Sequence, residues 1–392
     1  MEDQRKRILE LVKTGTLTIE EALTLLEALD KEQQHKSKTQ NEERNQAEEQ
    51  HQNEHNEQQS STKDKEQANT FTEAKDKIFD FVGGALKKIK DFDFPLNQSV
   101  EISHVFQQSS ANINSIKIDV DHGHVRFKQW DQEDVRIECE VKVFRTDDFE
   151  EGRKFFLNNS TFTLDDEQLQ FTTHSKWMKV DTIVYVPQHK YETIVLRTFN
   201  GSIHGEDMTA VKTNIKTLNG KIFIKDSEIN RLEAETANGT IDFEKSNINE
   251  VEAQTMNGEI KWNGAFVTSD FESFNGNISI SLTDEYADTL HAKTVTGNIE
   301  IILPDKTAVQ GECKSNFGNF MIALEGIERM DEKKEMIQKQ LRFSRNYDTN
   351  KHLYIFADAK TGAVSIKEGE MDKKKEPITN EAEETQADSH EE

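Results

Sequence analysis

The chain has 392 residues, of which only 34% are apolar, and it carries a formal net charge of -25. This length allows two or three domains and a sizeable core, whereas the low apolar content indicates that much of the chain is solvated. The 74 acidic side chains outnumber the 49 basic ones and repel phosphate, so nucleic acid is excluded as a principal partner.

Cys139 and Cys313 form no C-x-x-C motif, so neither a disulfide framework nor a zinc site is expected. The first residues lead into an amphipathic pattern rather than an apolar signal region, and no apolar run of about 18 residues occurs. The expected location is the cytoplasm, with peripheral attachment to the membrane. Exposure at the cell surface would require an unconventional export route.

Residues 1–30 predict a small helical hairpin. The first helix ends near Thr14-Gly15, because glycine suits the left-handed position after a helix. Thr18 to Glu21 have the form of a capping box and begin the second helix. A unit of this size does not maintain its own core, so we expect it to pair with a second copy or with a partner.

Two stretches predict disorder. Residues 31–70 contain Ala47 and Ala68 as their only apolar side chains, so they cannot bury enough surface to offset chain entropy. They are expected to form a flexible linker. Residues 370–392 are strongly acidic and predict a disordered tail.

Residues 71–95 predict an amphipathic basic segment, in which apolar side chains recur at three- and four-residue steps. From 71 to 90, five lysines stand against three acidic residues, a balance of +2. One interpretation is an interfacial helix on an anionic membrane surface. The other is a helix that caps the open end of the repeat described next. The candidate membrane contacts are Phe71, Ile78, Phe81, Lys87 and Lys88.

Residues 99–369 predict a repeat domain, because one phrase of alternating apolar and polar residues around a tight turn recurs along them. Three looser turns lie in its C-terminal part, at Thr296-Gly297, Phe317-Gly318 and Thr361-Gly362. Before them come five regular Asn-Gly turns, spaced by 19, 19, 19 and 18 residues: Asn200-Gly201, Asn219-Gly220, Asn238-Gly239, Asn257-Gly258 and Asn275-Gly276.

Two folds fit this pattern. Asn-Gly between alternating runs is a strong signal for a two-residue hairpin, which favours an antiparallel meander. A β-solenoid instead makes each phrase one rung, with Asn over Asn and Ile over Ile in neighbouring rungs. Identical residue types at equal spacing favour the β-solenoid over the meander. We therefore predict a mainly β fold, a single-stranded β-solenoid (β-helix) of about 19-residue rungs, preceded by the two-helix module and the linker.

The flanks of the repeat are less regular. Residues around His122-Gly123 predict an early, imperfect rung, and residues 145–178 an excursion from the sheet. Ile327 to Leu341 have a helical pattern that interrupts the repeat, and Leu353 to Ile366 look like its final rung.

No metal or catalytic site is predicted. Asp119, Asp121, His122 and His124 are close in sequence, but strand alternation places the two histidines on one face and the two aspartates on the other. A polar turn explains them better than a metal site. Outward carboxylates on the rungs, namely Glu233, Asp242, Glu259 and Glu300, are too scattered for acid–base catalysis. No cofactor is expected.

The order of these parts resembles a bacterial family. The opening pair, with the Thr14 to Thr18 turn and Glu20 to Leu23, resembles the short SHOCT-like amino-terminal module of the YvlB and LiaX proteins. The rungs, the Val186-Pro187 strand ending and the Thr361 to Val364 phrase resemble the putative-adhesin domain of the same proteins. The resemblance implies a Firmicute protein linked to the cell-envelope stress response.

Three functions are considered. The leading hypothesis is a non-enzymatic binding or regulatory protein of that response, with the solenoid as interaction surface and a membrane signalling protein as partner. This hypothesis also includes binding to an anionic membrane surface and self-association through the helical module. The alternatives are a cell-surface adhesin, against which the missing signal region counts, and a β-helical carbohydrate-active enzyme.

Overall fold

The computed structural model of the protein describes residues 98–109, 112–334, 338–347 and 351–369. Several predictions lie outside these residues: the hairpin 1–30, the linker 31–70, the segment 71–95 with Phe71, Ile78, Phe81, Lys87 and Lys88, and the tail 370–392.

The described residues are mainly strands, which suits their many β-branched side chains. One helix, α1 (Phe149–Asn158), lies among them, and none of the described helices is long and apolar enough to cross a membrane. The strands, all part of one hydrogen-bonded system, are in chain order β1 (Ser99–Gln108), β2 (Ser115–His122), β3 (Val125–Trp130), β4 (Val135–Phe144), β5 (Ser160–Asp165), β6 (Gln168–Thr173), β7 (Met178–Pro187), β8 (Tyr191–Asn200), β9 (Ile203–Glu206), β10 (Thr209–Asn219), β11 (Ile222–Lys225), β12 (Glu228–Asn238), β13 (Ile241–Asn257), β14 (Ile260–Asn275), β15 (Ile278–Leu282), β16 (Thr289–Thr296), β17 (Ile299–Leu303), β18 (Val309–Ser315), β19 (Phe320–Ala323), β20 (Glu328–Lys334), β21 (Lys339–Arg345), β22 (Leu353–Ala359) and β23 (Val364–Glu368).

The two strands on either side of each turn form one rung of a solenoid. We call the surface of strands before the turns face A and that of strands after the turns face B. From β8 to β17 the neighbouring strands are parallel and in register, so that Ile215 lies between Leu196 and Ala234. Strands β13 and β14 run from face B of one rung into face A of the next. The predicted solenoid is confirmed, and the antiparallel meander is wrong.

The core is built from the predicted apolar columns. The side chains four residues before the turns, from Leu196 to Ala357, are buried. The isoleucines that follow the turns are also buried, and each contributes about 1.5–3 kcal/mol relative to full exposure. Strand β19 lies at the end of the stack on face B and pairs with β23 alone, so Phe320 and Ile322 are only half-buried.

Two rungs stack out of chain order. Rung 115–130 lies between rungs 168–187 and 191–206. Rung 353–368 lies between rungs 289–303 and 309–323. The prediction of a final rung at Leu353 to Ile366 is therefore wrong in its position, because rung 309–323 lies beyond it. The place of a rung in the stack depends on which strands pair in register, whereas the spacing of the turns in the sequence gives only the order of the rungs along the chain.

Antiparallel strands and one helix close the end near rung 168–187. Strand β5 pairs with β6, and β4 pairs with both β7 and β1. Helix α1 packs on β1, β4 and β5. Its first turn is fixed by Asp148, whose side chain accepts a hydrogen bond from the Glu151 backbone N–H at 2.7 Å. The excursion from the sheet predicted for residues 145–178 is therefore wrong for β5 and β6, which belong to the sheet, and it holds for helix α1.

A hairpin closes face A at the other end. Strand β21 pairs antiparallel with β18, and β20 pairs with β21. The predicted helix from Ile327 to Leu341 is therefore wrong. Leu341 and Phe343 alternate into the core of this end, and Phe343 occupies the space that Gly311 leaves free. Pairing with the open edge of β18 outweighs the local helical pattern.

Candidate functional site

The turn asparagines form a ladder along the edge between the two faces. The side-chain Nδ2 of each donates to Oδ1 of the asparagine one rung earlier, at 2.7–2.9 Å, for Asn219, Asn238, Asn257 and Asn275. Asn200 Nδ2 lies 3.2 Å from Nδ1 of His122, which extends the contact to rung 115–130. These amides bind one another, so the structure gives them a structural role.

The turn glycines let neighbouring rungs approach closely. A Cβ on Gly239 would lie 2.0 Å from the carbonyl oxygen of Gly220, and a Cβ on Gly258 would lie 1.9 Å from that of Gly239. The same holds at Gly201, Gly220 and Gly276. Glycine is needed here because another backbone occupies the position of a side chain.

A hydroxyl column that sequence reasoning missed lies beside the glycines. Each hydroxyl donates to the carbonyl oxygen of the glycine in the adjacent rung at 2.9–3.1 Å. The signal was present, because serine or threonine occurs two residues before seven of the eight turns. These residues are Thr198, Thr217, Thr236, Thr255, Ser273, Thr294 and Ser315.

The residues considered for a metal site make other contacts. His124 Nδ1 accepts from the Ser202 backbone N–H at 3.0 Å, and Asp121 Oδ1 lies 3.4 Å from His174 Nδ1. Across the described ranges, no group of three or more histidine, cysteine, aspartate or glutamate side chains is arranged to hold a metal ion.

Face B carries isolated ion pairs. Asp242 pairs with Lys221 at 2.7 Å, Glu259 with Lys261 at 2.8 Å and Glu300 with Lys367 at 2.6 Å. The pairs are largely exposed and therefore contribute little to stability. Asp242 and Glu300 border a shallow depression, but each already has an ammonium partner.

Face A carries a different charge pattern on its outward columns, which we call the carboxylate stripe. Its side chains stand in register in adjacent rungs, with Lys216 at one end and Lys293 at the other. In the same outward columns, Arg197 precedes Lys216, and Asp358 and Lys314 follow Lys293. The stripe consists of Glu233, Glu235, Glu252, Asp270 and Glu272.

Some of these groups are deeply buried although they point away from the solenoid core. Lys216 bridges Glu233 at 3.1 Å and Glu235 at 2.9 Å, and Lys293 contacts Glu272 at 2.9 Å. The side chains of Glu235 and Glu272 are only 4% and 5% exposed. Burial of this kind is rare for carboxylates unless they are paired.

An outer apolar row adjoins the stripe. It consists of Phe199, Leu218, Ala237 and Met256, each placed just before a turn asparagine. Leu218 and Ala237 are buried and form a cluster separate from the main core, with Phe199 and Met256 packed against them. Face A therefore offers a buried apolar strip beside a negatively charged one.

Burial shifts the acid–base equilibria of the stripe. Burial and a hydrogen bond to Glu233 raise the pKa of Glu235 to about 7, despite the opposing Lys216. Burial and Asp270 raise the pKa of Glu272. Burial opposes the charge of Lys293, but Asp270 and Glu272 together raise its pKa. Burial lowers the pKa of His291, and the positive charge of Lys293 lowers it further. The stripe thus gains negative charge as the pH rises through neutrality.

This arrangement suits binding of a cationic group better than catalysis. A pair of acid–base carboxylates must flank a substrate, with a gap between them for the reacting bond. Glu233 and Glu235 instead hydrogen-bond to each other and share one lysine, and Glu235 is almost inaccessible.

Residues 113–353 match the family described as Toastrack DUF4097. The chain belongs to the toastrack family. Residues 3–34 match a SHOCT-like domain. The uncharacterized protein YvlB of Bacillus subtilis (strain 168) is 38% identical over 369 residues, which are 94% of this chain and 99% of that protein. The family resemblance drawn from the opening pair and the rungs is confirmed.

Solved structures similar to this toastrack protein include two from Parabacteroides distasonis ATCC 8503. One is described as a "putative adhesin", with 13% identity and a TM-score of 0.34, and covers 68% of this chain and 97% of its own. The other is described as a "Putative lipid binding protein", with 11% identity and a TM-score of 0.37, and the same two coverages.

The raised pKa of Glu235 predicts a pH-dependent stability of the toastrack solenoid. Because the folded pKa of about 7 exceeds the ordinary 4.5, the contribution of Glu235 is fully present below about pH 4.5 and is lost as pH rises through 7. Glu235→Gln should reduce the loss of unfolding free energy between pH 5 and pH 8 by about 2 kcal/mol. Denaturant unfolding at both pH values measures this.

The matched control is Glu259→Gln on face B. Lys261 lowers the pKa of Glu259, so its stabilising effect is lost as pH falls, the opposite direction. We expect only a small change because this pair is exposed. A Glu235→Gln protein with the pH dependence of the wild type would contradict the assignment.

Proposed function

We propose that this protein is a non-enzymatic binding and regulatory protein of the bacterial cell-envelope stress response, with face A as its interaction surface. One observation carries the proposal. Glu233, Glu252 and Asp270 stand directly beside one another in three adjacent rungs. Like charges at opposed positions of neighbouring strands destabilise a sheet, and such violations of local rules are expected at functional sites.

The proposed partner is a membrane-bound signalling protein with a basic cytoplasmic segment. Cytoplasmic loops near membrane spans are rich in lysine and arginine, which complements the carboxylate stripe. The outer apolar row would receive the apolar side chains of the same segment. Residues 3–34, which match a SHOCT-like domain, would engage the partner or a second copy. This proposal places the protein at the cytoplasmic surface of the membrane.

The proposal is tested with an envelope-stress reporter in cells exposed to a membrane-active antibiotic. Three strains carry the wild type, Glu252→Lys with Asp270→Lys on face A, or Glu259→Lys with Glu300→Lys on face B. Both double variants change the net charge equally on the same solenoid. We expect the face A variant to alter reporter induction as deletion of the gene does, and the face B variant to behave as the wild type.

Two results would overturn the proposal. The first is wild-type reporter induction in the face A variant, given equal protein levels and an unchanged thermal unfolding midpoint. The second is cleavage of the protein by protease added to intact cells, since an adhesin is accessible from outside and a protein at the cytoplasmic surface is not.

A further inference from the structure

We propose that face B carries a binding site for a neutral saccharide, in the shallow depression that Asp242 and Glu300 border. The site goes beyond the proposed function, which uses face A. The depression has a volume of about 480 Å³, within the range of roughly 300–1,000 Å³ that is usual for small-molecule sites. Its shape, its free polar groups and its charge balance together select the class of ligand.

Two serines create the depression. The outward side chains of neighbouring rungs stand in register along face B, and strand β15 contributes Ser279 and Ser281 to these columns. The longer outward side chains in register on either side of the serines are Lys261, Asn263, Glu300 and Ile302. Because a serine side chain is short, the surface of face B is lower at this rung than at its neighbours. A small molecule can therefore approach the serines between the longer side chains.

Three polar side chains of the depression are free to bind a ligand. Within the part of the chain that the structure describes, the side chains of Asn263, Ser279 and Ser281 have no hydrogen-bond partner. The amide of Asn263 supplies two donors and one acceptor, and each serine hydroxyl can both donate and accept. The hydroxyl groups of a sugar also donate and accept, so they complement this set of groups.

The charges around the depression cancel. Each of the three ion pairs of face B has one member in the lining, namely Asp242, Lys261 and Glu300. The lining also contains Glu244 and Lys245, which carry one charge of each sign. With the partners of the three pairs included, four acidic side chains balance four basic ones. The field of such a site favours neither an anion nor a cation, so a neutral ligand held by hydrogen bonds fits best.

Ile302 gives the depression an apolar side. It is an outward, half-buried residue of strand β17 and lies in register beside Ser281. Small-molecule sites combine apolar contact area with a few polar groups that fix the orientation of the ligand. A sugar ring presents C–H groups on its faces and hydroxyl groups around its edge. It can therefore contact Ile302 and form hydrogen bonds to Ser281 and Asn263 at the same time.

Saturation-transfer difference NMR with the purified full-length protein tests the proposal, because this method detects weak binding of a small ligand in excess. The probes are the neutral disaccharides maltose, cellobiose and chitobiose. Inorganic phosphate, observed through the width of its ³¹P signal, is the charged comparison. We expect a saturation-transfer signal from at least one disaccharide and no broadening of the phosphate signal.

Vesicle sedimentation separates a free saccharide from the headgroup of a lipid. Phosphatidylcholine vesicles are prepared with and without digalactosyldiacylglycerol, a lipid whose headgroup is a neutral disaccharide. Sedimentation of the protein only with the glycolipid vesicles, in the absence of binding to the free disaccharides, would assign the site to a lipid headgroup. Binding of a free disaccharide would assign it to a soluble saccharide, and either result supports the proposal.

Substitutions in the depression identify the binding site. Ser281→Tyr fills the depression and should weaken binding more than tenfold, and an outward strand position accommodates an aromatic side chain. Asn263→Ala removes one hydrogen-bonding group and should weaken binding about threefold to tenfold. It shortens an exposed side chain, so it keeps the test decisive if Ser281→Tyr fails to fold. Thr268→Tyr, at an exposed outward position of face A, is the matched control and should bind as the wild type does.

Three outcomes would overturn the inference. The first is the absence of binding to all three disaccharides and to the glycolipid vesicles. The second is binding of phosphate without binding of any saccharide, which would make the depression an anion site. The third is saccharide binding that Ser281→Tyr and Asn263→Ala leave unchanged, because the saccharide would then bind elsewhere on the protein.

Discussion

A chain that ends after residue 347 should lose the ordered structure of residues 309–345, and not only that of the rung removed with residues 353–368. Strand β18 contacts the rest of the solenoid through β22, and β19 contacts it through β23. Both strands would lose their neighbour. The buried side chains of this end, including Val309, Cys313 and Phe343, represent on the order of 10 kcal/mol of burial.

Direct stacking of rung 309–323 on rung 289–303 is disfavoured by charge. In the intact protein Asp358 lies between Lys293 and Lys314 in one outward column. Without rung 353–368 the two lysines would be opposed at rung spacing, which destabilises a sheet.

Hydrogen exchange with mass spectrometry measures the loss peptide by peptide. Peptides covering 309–323 and 339–345 should exchange nearly as fast as in an unfolded chain, while those covering 209–275 keep their protection. The control ends after residue 369 and should behave as the full-length protein. Unchanged protection of 309–323 in the shorter protein would mean that the rungs stack in chain order.

Gly239→Ala should lower the free energy of unfolding by about 3 kcal/mol or more, because overpacking against backbone cannot be relieved by a rotamer change. The new Cβ would lie 2.0 Å from the carbonyl oxygen of Gly220. To accept it, the rungs must separate at the turn, which also weakens the asparagine and hydroxyl columns. Denaturant unfolding monitored by circular dichroism gives the change.

Gly326→Ala is the matched control for this substitution. No atom lies within 4 Å of a Cβ at Gly326, whose φ is 68°. The left-handed backbone alone should cost about 1–2 kcal/mol. Equal destabilisation by the two substitutions would contradict the close approach of the glycine backbones at the turns.

The solenoid was predictable because its information is local and periodic. Asn219, Asn238 and Asn257 recur at a fixed spacing with the same apolar neighbours. In-register stacking explains this recurrence, because it places identical residue types side by side in adjacent rungs. The order of rungs was not predictable by this argument. Leu353 to Ile366 carry the same columns as the other rungs, so the pattern alone permits several positions in the stack.

The antiparallel end and the face A surface were hidden for different reasons. Leu341 and Phe343 belong to a short segment whose apolar residues fit either periodicity, and the open edge of β18 decides the outcome. From the sequence alone, Glu235 and Glu272 would be predicted to be solvent-exposed charges. Their burial arises only when three rungs bring Glu235, Gln254 and Glu272 side by side.

Carboxyl footprinting in cells tests most directly the claim that face A is the functional surface. A carbodiimide with an added amine labels accessible carboxylates, which are then quantified by mass spectrometry before and after exposure to a membrane-active antibiotic. We predict that labelling of Glu233, Glu252 and Asp270 changes on exposure while labelling of Glu259 and Glu300 stays constant. Constant labelling of the stripe, or an equal change on both faces, would contradict the account.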